Sequence, residues 1–224
     1  SFPTRRSSDL FDSRIANTGN ILFQSGTGIA TSGGNILALQ LGSGNVTNDG
    51  TLNALAGGVQ LATTAGTETS SSTVNAGDFT ATAQTLVDLQ AGFTSNGTTT
   101  IITASTGNVI LAGGVTFTNA GGNNVTINAV TDIDINASFT TTGSGPIDFT
   151  ATNTGGTASV ETLTLSTGTL LNTNGGSVNL SETGSGDLRV TGVGVSTVAG
   201  AFTASTVAGL ITNDTTIETS NGGG

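Results

Sequence analysis

The chain has 224 residues and a formal net charge of −10, yet charged residues make up only 8% of it. Four arginines and no lysine leave little positive charge to neutralise phosphates, so the composition argues against nucleic acid as a partner. Without histidine or cysteine, the chain cannot build a Ser–His or Cys–His nucleophilic centre.

The composition is biased, but it is not typical of a disordered chain. Threonine occurs 45 times and glycine 35 times, and the mean hydropathy is +0.15. Disordered chains combine low hydrophobicity with high charge, whereas Val, Ile, Leu and Phe recur here at short intervals. No apolar run approaches the ~18 residues of a membrane helix, so membrane insertion is not expected.

Residues 1–10, SFPTRRSSDL, hold two of the four arginines and one of the two prolines. Read back into codons in one frame, they resemble the end of a common sequencing adapter, so we exclude them from the fold as a non-native segment. The alternative is a basic arm formed by Arg5 and Arg6. The chain has no Met and stops on NGGG within a repeat-like phrase, so we expect residues 11–224 to be one body truncated at both ends.

From Phe11 onward one phrase keeps returning: glycine, then one or two small or polar residues, then an alternating apolar segment. It occurs as TGNILF (18–23), GGNILAL (33–39), GSGNVT (42–47), GGVQLA (57–62), TGNVILA (106–112), GGNNVTI (121–127), GSGPIDF (143–149), GGSVNL (175–180) and GSGDLRV (184–190). Glycine is typical of turns and β-branched residues are typical of strands, so the phrase predicts a turn followed by a short strand.

Alternation with a period of two residues is clearest in the segment 125–141, VTINAVTDIDINASFTT. Its odd positions are almost all apolar and its even positions almost all polar, which predicts strands with one buried face. The segment 87–93 repeats the pattern, with Asp88 and Gln90 facing outward. No window shows a stripe with a 3.6-residue period, so helix content is predicted to be near zero.

Short strands, glycine turns and self-similarity at irregular spacing predict an all-β fold, a right-handed parallel β-helix (β-solenoid) in one domain over residues 11–224. Coils of ~20–24 residues give about nine to eleven coils stacked at ~4.8 Å. A narrow interior favours small and β-branched residues over an aromatic in every layer. Stacked coils place like residues above one another, which disfavours charge and favours Thr and Asn. The alternative fold is an array of β-sandwiches.

Phrases such as TSGGNILAL, ASTGNVILAGG and TNGGSVNLSETGSGDL resemble the central repeats of filamentous haemagglutinin-type exoproteins and autotransporter adhesins. The likeness covers nearly all of residues 11–224 and rests on the style of the repeats. It implies a right-handed parallel β-helix that is exported across a Gram-negative envelope and is displayed on the cell surface or secreted.

Asp132, Asp134 and Asp148 form the best candidate for a catalytic group. Asp132 and Asp134 share the outward face of one predicted strand, where side chains on the same face lie ~6–7 Å apart, as carboxylate pairs do in some glycosidases. Asp148 is expected about one coil further on. No aromatic or basic neighbour is present to shift a pKa, so we favour a solvated face that keeps the protein soluble.

Three other patterns are weaker indications of a functional site. GSGDL (184–188) resembles one misregistered copy of a calcium-binding nonapeptide, for which we favour an ordinary turn, so no metal or cofactor is predicted. Thr-x-Thr segments (80–83, 116–119, 162–167) invite an ice-binding hypothesis, but irregular coil lengths oppose an evenly spaced array, and Thr is a good strand former. Arg189 is expected on the surface beside Asp187 or Glu182.

The sequence therefore predicts a non-enzymatic stalk in a large secreted or surface-displayed bacterial adhesin or exoprotein. Such a stalk holds a distal binding region away from the cell, and any contact with glycans or proteins of host or neighbouring cells would be made by regions outside this chain. The alternative is a parallel β-helix enzyme, a lyase or hydrolase acting on polysaccharide, because that fold also carries carboxylate sites.

Overall fold

The alternating segments between the glycine turns form short β-strands in the computed structural model, which describes residues 10–13, 18–112, 116–119, 124–136, 138–141, 145–152, 163–165, 170–173, 176–190, 194–197, 200–213 and 217–219. These residues contain 27 strands and no helix, as the sequence predicted. Accordingly, no helix long and apolar enough to cross a membrane occurs among them.

The strands are short, with three to six residues each. The first nine are β1 (Leu10–Ser13), β2 (Ile21–Phe23), β3 (Gly28–Ala30), β4 (Ile36–Gln40), β5 (Val46–Asn48), β6 (Thr51–Asn53), β7 (Val59–Thr63), β8 (Thr67–Ser70) and β9 (Val74–Ala76). The next nine are β10 (Phe79–Ala83), β11 (Leu86–Leu89), β12 (Phe93–Ser95), β13 (Thr99–Ala104), β14 (Asn108–Leu111), β15 (Thr116–Asn119), β16 (Asn124–Ala129), β17 (Ile133–Ile135) and β18 (Ser138–Thr141). The last nine are β19 (Ile147–Ala151), β20 (Leu163–Leu165), β21 (Leu170–Thr173), β22 (Val178–Glu182), β23 (Leu188–Val190), β24 (Gly194–Thr197), β25 (Phe202–Thr206), β26 (Ile211–Asn213) and β27 (Ile217–Thr219).

Every third strand belongs to the same sheet, so the described strands form three parallel sheets of nine strands each. Sheet 1 begins with β1, sheet 2 with β2 and sheet 3 with β3, and three consecutive strands, one from each sheet, make a coil. This topology is a parallel β-solenoid, which confirms the predicted fold class. The upper part of the predicted range of nine to eleven coils was too high, since the described strands stack in nine levels.

Coil length varies, but strand register does not. In sheet 1, Thr80 pairs with Gln60, which lies 20 residues earlier, whereas Asn179 pairs with Asp148, which lies 31 residues earlier. The difference in length is therefore taken up between strands, and the ladder of backbone hydrogen bonds continues without a shift.

Between β4 and β24, the strands whose burial is described bury every second residue, as the alternation predicted. Within 125–141, Val125, Ile127, Ile133, Ile135 and Phe139 are all buried. The inward side chains of the three sheets form one apolar core that follows the solenoid axis. Burial of such a side chain contributes about 1.5–3 kcal/mol relative to leaving it exposed.

Phenylalanine occupies more of the core than the narrow interior led us to expect. Phe93, Phe117 and Phe139 follow one another in sheet 3, with ring centroids 4.7 and 5.0 Å apart. Phe79 and Phe149, from sheet 1, extend this row at its two ends: Phe79 stacks on Phe93 with ring centroids 4.6 Å apart, and Phe149 meets Phe139 edge-on at 5.6 Å. Five rings thus run through four consecutive coils.

The first strand starts close to the predicted boundary of the solenoid. Leu10 begins β1 and pairs with Leu37 of β4, one residue before the predicted start at Phe11. Residues 1–9 lie outside the described residues, so their exclusion from the solenoid stays a prediction.

Glycine at the corners permits the coils to stack closely. A Cβ atom on Gly107 would lie closer than 3 Å to the backbone carbonyl of Thr85 in the preceding coil, and one on Gly66 would meet the carbonyl of Gly44 in the same way. Real Cβ atoms essentially never approach carbonyl oxygens so closely. The recurring glycine is therefore required by the separation of the coils as well as by the turns.

Two adjacent glycines provide a matched test of this requirement. A Cβ on Gly57 would meet the backbone of Gly34 at less than 3 Å, whereas a Cβ on Gly58 would have no contact shorter than 3.6 Å. We expect Gly57→Ala to lower the free energy of unfolding by about 1–3 kcal/mol, because coils 2 and 3 must move apart. Gly58→Ala should change it by less than about 1 kcal/mol. Equal effects in urea denaturation would contradict the packing role of Gly57.

Candidate functional site

Asp132 and Asp134 flank the buried Ile133 in coil 6. Asp134 is the central residue of β17 and pairs with Ile110 and Thr164 in sheet 2. Asp132 directly precedes the strand, and its backbone carbonyl accepts the Val109 amide at 2.9 Å. Its Oδ1 atom is buried without a hydrogen-bond partner among the described residues.

Asp148 lies on a different sheet from Asp134. It belongs to β19 of sheet 1, and its Oδ1 accepts a hydrogen bond from Asn179 Nδ2 at 2.6 Å. Asn179 is its partner in the next strand of the ladder, so this bond links two coils. The structure therefore does not bring the three aspartates onto one sheet face, and the preference for a solvated face over a catalytic group stays a prediction.

Arg189 is exposed at the centre of β23. Outward-facing residues that pair from strand to strand form a row along each sheet, which we call its outward rank. The outward rank of sheet 2 contains Arg189 and, two strands away, Asp134. The expectation that Glu182 lies beside it on the surface is wrong, because Glu182 is only 1% exposed. Glu182 ends a sheet 1 strand at an inward position, and its Oε1 accepts the Gly184 amide at 2.7 Å.

The described residues contain no group of three or more acidic, histidine or cysteine side chains that could hold a metal ion. In the GSGDL segment, Asp187 Oδ1 accepts the Leu210 amide of the next coil at 2.8 Å. Asn45, at the equivalent corner of coil 2, accepts the Thr67 amide at 2.9 Å. Asp187 thus makes the hydrogen bond of an ordinary corner residue.

The Thr-x-Thr segment of β10 shows why the ice-binding hypothesis remains disfavoured. Register is constant despite irregular coil length, so the objection raised from coil length does not hold. The outward rank itself is mixed, however: Thr80 lies between Gln60 and Ile101, and Asp148 interrupts the rank further along. The rank is not a continuous threonine array.

Among the described residues, a recurring set of polar side chains joins one coil to the next at the corners. The side-chain oxygen Oδ1 of Asn20 accepts the Asn45 backbone amide at 2.9 Å, and Oδ1 of Asn35 accepts the Gly58 backbone amide at 2.8 Å. Asp78 Oδ1 accepts both the Thr98 and Thr99 amides, at 2.6 and 2.9 Å. These bonds satisfy backbone N–H groups that the strand ladders leave unpaired.

These bonds explain the recurring Gly–Asn and Gly–Asp dipeptides. The glycine lets its own coil lie close to the preceding coil, and the Asn or Asp that follows it accepts an amide from the next coil. The sequence showed the glycine as a turn signal, but it gave no sign that the polar residue bonds to the coil above. That role depends on register between residues 20–25 positions apart.

A second corner motif is a hydrogen bond between two residues of the same coil, at the point where a strand ends. The hydroxyl of Thr197 donates to the Gly200 carbonyl at 2.5 Å, that of Thr206 donates to Gly209 at 2.8 Å, and that of Thr173 donates to Gly176. Each pair is three residues apart, so a Thr-x-x-Gly spacing marks the corner. Such local bonds stabilise the turn within one coil and need no partner from a neighbouring coil.

The two motifs occur together in a longer internal repeat. Residues 31–45, TSGGNILALQLGSGN, and residues 173–187, TNGGSVNLSETGSGD, cover equivalent corners and strands of coils 2 and 8. Gln40 Oε1 accepts the Gly42 amide at 2.7 Å, which is the bond that Glu182 makes with Gly184. Equivalent residues thus make equivalent bonds about 140 positions apart in sequence.

Comparisons of the chain with protein-family models, with curated proteins and with solved structures found no match. The solenoid geometry and its corner bonds are therefore the observations on which a function can be based.

Among the described corner residues, we expect the loss of Asp78 to reduce stability most, because one of its carboxylate oxygens accepts two backbone amides. We expect Asp78→Ala to lower the free energy of unfolding by about 1–2 kcal/mol, since water can replace part of these bonds at an exposed corner. Asp78→Asn keeps an acceptor oxygen and should lose less. If thermal unfolding shows that the Ala variant is as stable as the wild type, the coil-joining role of Asp78 is wrong.

Proposed function

We propose that this chain is a stiff spacer, the stalk segment of a large secreted or surface-displayed bacterial adhesin or exoprotein. The observation that carries the proposal is the unbroken register of three nine-stranded parallel sheets. A ladder of this kind shares any load along the axis among three sheets at every level. Eight steps at the spacing of β-strands give a rod of about 40 Å.

The outward faces support a spacer. In sheet 3, the register places Asn53, Asn75, Thr94, Thr118 and Thr140 one above another in successive coils. All five are uncharged, so they stack at the strand spacing without repulsion and remain compatible with water. A rank of this kind stabilises the rod and needs no ligand.

The location and the partners are part of the same proposal. The resemblance of the repeat phrases to exoprotein and adhesin repeats supports export to the exterior of a Gram-negative cell. The stalk would then hold a binding region, on a part of the protein outside this chain, at a distance from the outer membrane. Surface glycans or proteins of a host or neighbouring cell are the proposed targets of that region.

Single-molecule extension tests the spacer directly. With cysteine handles placed near the two ends of this cysteine-free chain, we expect the rod to resist load and then to lengthen in steps. Coils of 20–31 residues, as measured between paired positions of sheet 1, correspond to steps of roughly 70–110 Å. A smooth extension at negligible force would contradict a load-bearing role.

A polysaccharide-depolymerisation assay tests the competing enzyme hypothesis. The spacer proposal predicts no cleavage by the wild-type chain. Cleavage that is lost in an Asp132→Asn/Asp134→Asn variant, but kept in Asp148→Asn, would overturn the proposal and would assign the reaction to the coil 6 pair.

A further inference from the structure

Glu68 occupies a core position where its neighbours in the stack are apolar. It lies in β8, where sheet 2 pairs it with Val46 of the preceding coil and Val87 of the following coil. Its side chain is fully buried, like the two valines. A carboxyl group thus takes the place of a hydrophobic side chain in the column.

Neither oxygen of this carboxyl has a hydrogen-bond partner in the part of the chain that the structure describes. Four strands pack against β8, namely β5, β7, β10 and β11. Among them only β11 carries another titratable group, Asp88, and β6, β9 and β12 of sheet 3 at these levels carry none. No positively charged residue is found on any of these strands.

The protonated form of Glu68 is favoured by this environment. Burial raises the pKa of the Glu68 carboxyl well above its usual value, and the negative charge of Asp88 raises it further. An ionised carboxylate at this position would lack both water and a counter-ion, and such a charge is strongly disfavoured in a protein interior.

We propose that Glu68 makes the cohesion of coils 2–4 depend on pH: these coils stay closed while the carboxyl holds its proton and loosen when the proton is lost. The rod would then be most stable in a mildly acidic medium, and coils 2–4 would be the part that opens as the pH rises. This inference is independent of what the rod carries.

The direction of the effect follows from proton linkage. In the unfolded chain a glutamate ionises near pH 4.3, whereas in the folded chain Glu68 retains its proton to higher pH. Between these two values the folded state binds one more proton than the unfolded state. The folding equilibrium constant of the chain therefore falls about tenfold for each unit of rising pH, until the pH exceeds the pKa of Glu68 in the folded state. A salt-bridged glutamate has the opposite effect.

The test compares the wild-type chain with Glu68→Gln, which has the same shape and no titratable proton. Chemical denaturation is measured from pH 5 to pH 9. We expect the ratio of the two folding equilibrium constants to shift in favour of the variant by up to about tenfold per pH unit. A ratio that does not change with pH would overturn the proposal.

Two further variants keep the test decisive. Glu68→Val continues the valine column and should remove the same pH dependence even if the buried amide of the Gln variant impairs folding. Asp88→Asn removes the negative charge that raises the pKa of Glu68, so the loss of stability should stop at a lower pH than in the wild type. If the Val variant keeps the wild-type pH dependence, the effect does not come from Glu68.

Hydrogen exchange locates the opening. After correction for the intrinsic pH dependence of exchange, we expect amides of β5, β8 and β11 to lose protection as the pH rises, whereas amides of β16, which carries no titratable side chain, keep theirs. In Glu68→Gln this difference should disappear. Equal loss of protection in β8 and β16 would contradict a local device at coils 2–4.

Discussion

Successive coils approach one another through backbone carbonyls at the corners, and this approach leaves no room for a Cβ atom at residues such as Gly66 and Gly107. Most of the other features depend on that separation. It brings backbone amides within reach of Asn45 and Asp78, it lets the strand ladders continue from coil to coil, and it places phenylalanine rings at stacking distance. A side chain at the corner would weaken all three together.

Much of the fold could be predicted because its determinants are local. The alternation in 125–141 and the glycine before each strand depend on neighbouring residues, and they led to the correct fold class. The burial of Ile133 between Asp132 and Asp134 follows from the same alternation. The low content of charged residues also indicated stacked coils, since a parallel stack places like residues next to one another and like charges there would repel.

The remaining features depend on which residue lies one coil away, and no local pattern contains that information. Glu68 and Glu182 look like surface residues in the sequence, yet register places both inside. Asp148 looks like a companion of Asp134, but it belongs to another sheet, where it bonds to Asn179. Coil lengths of 20–31 residues prevent a fixed repeat from revealing these pairings. The candidate site was thus less predictable than the fold.

Constant register with variable coil length is the central claim, and pairs of spin labels at engineered cysteines test it most directly. Leu37 and Thr126 are four levels apart in the outward rank of sheet 1 and 89 positions apart in sequence. Ile101 and Thr203 are also four levels apart and are 102 positions apart in sequence. Stacking at ~4.8 Å predicts the same backbone separation, about 19 Å, for both pairs. Unequal or broadly distributed distances would contradict the account.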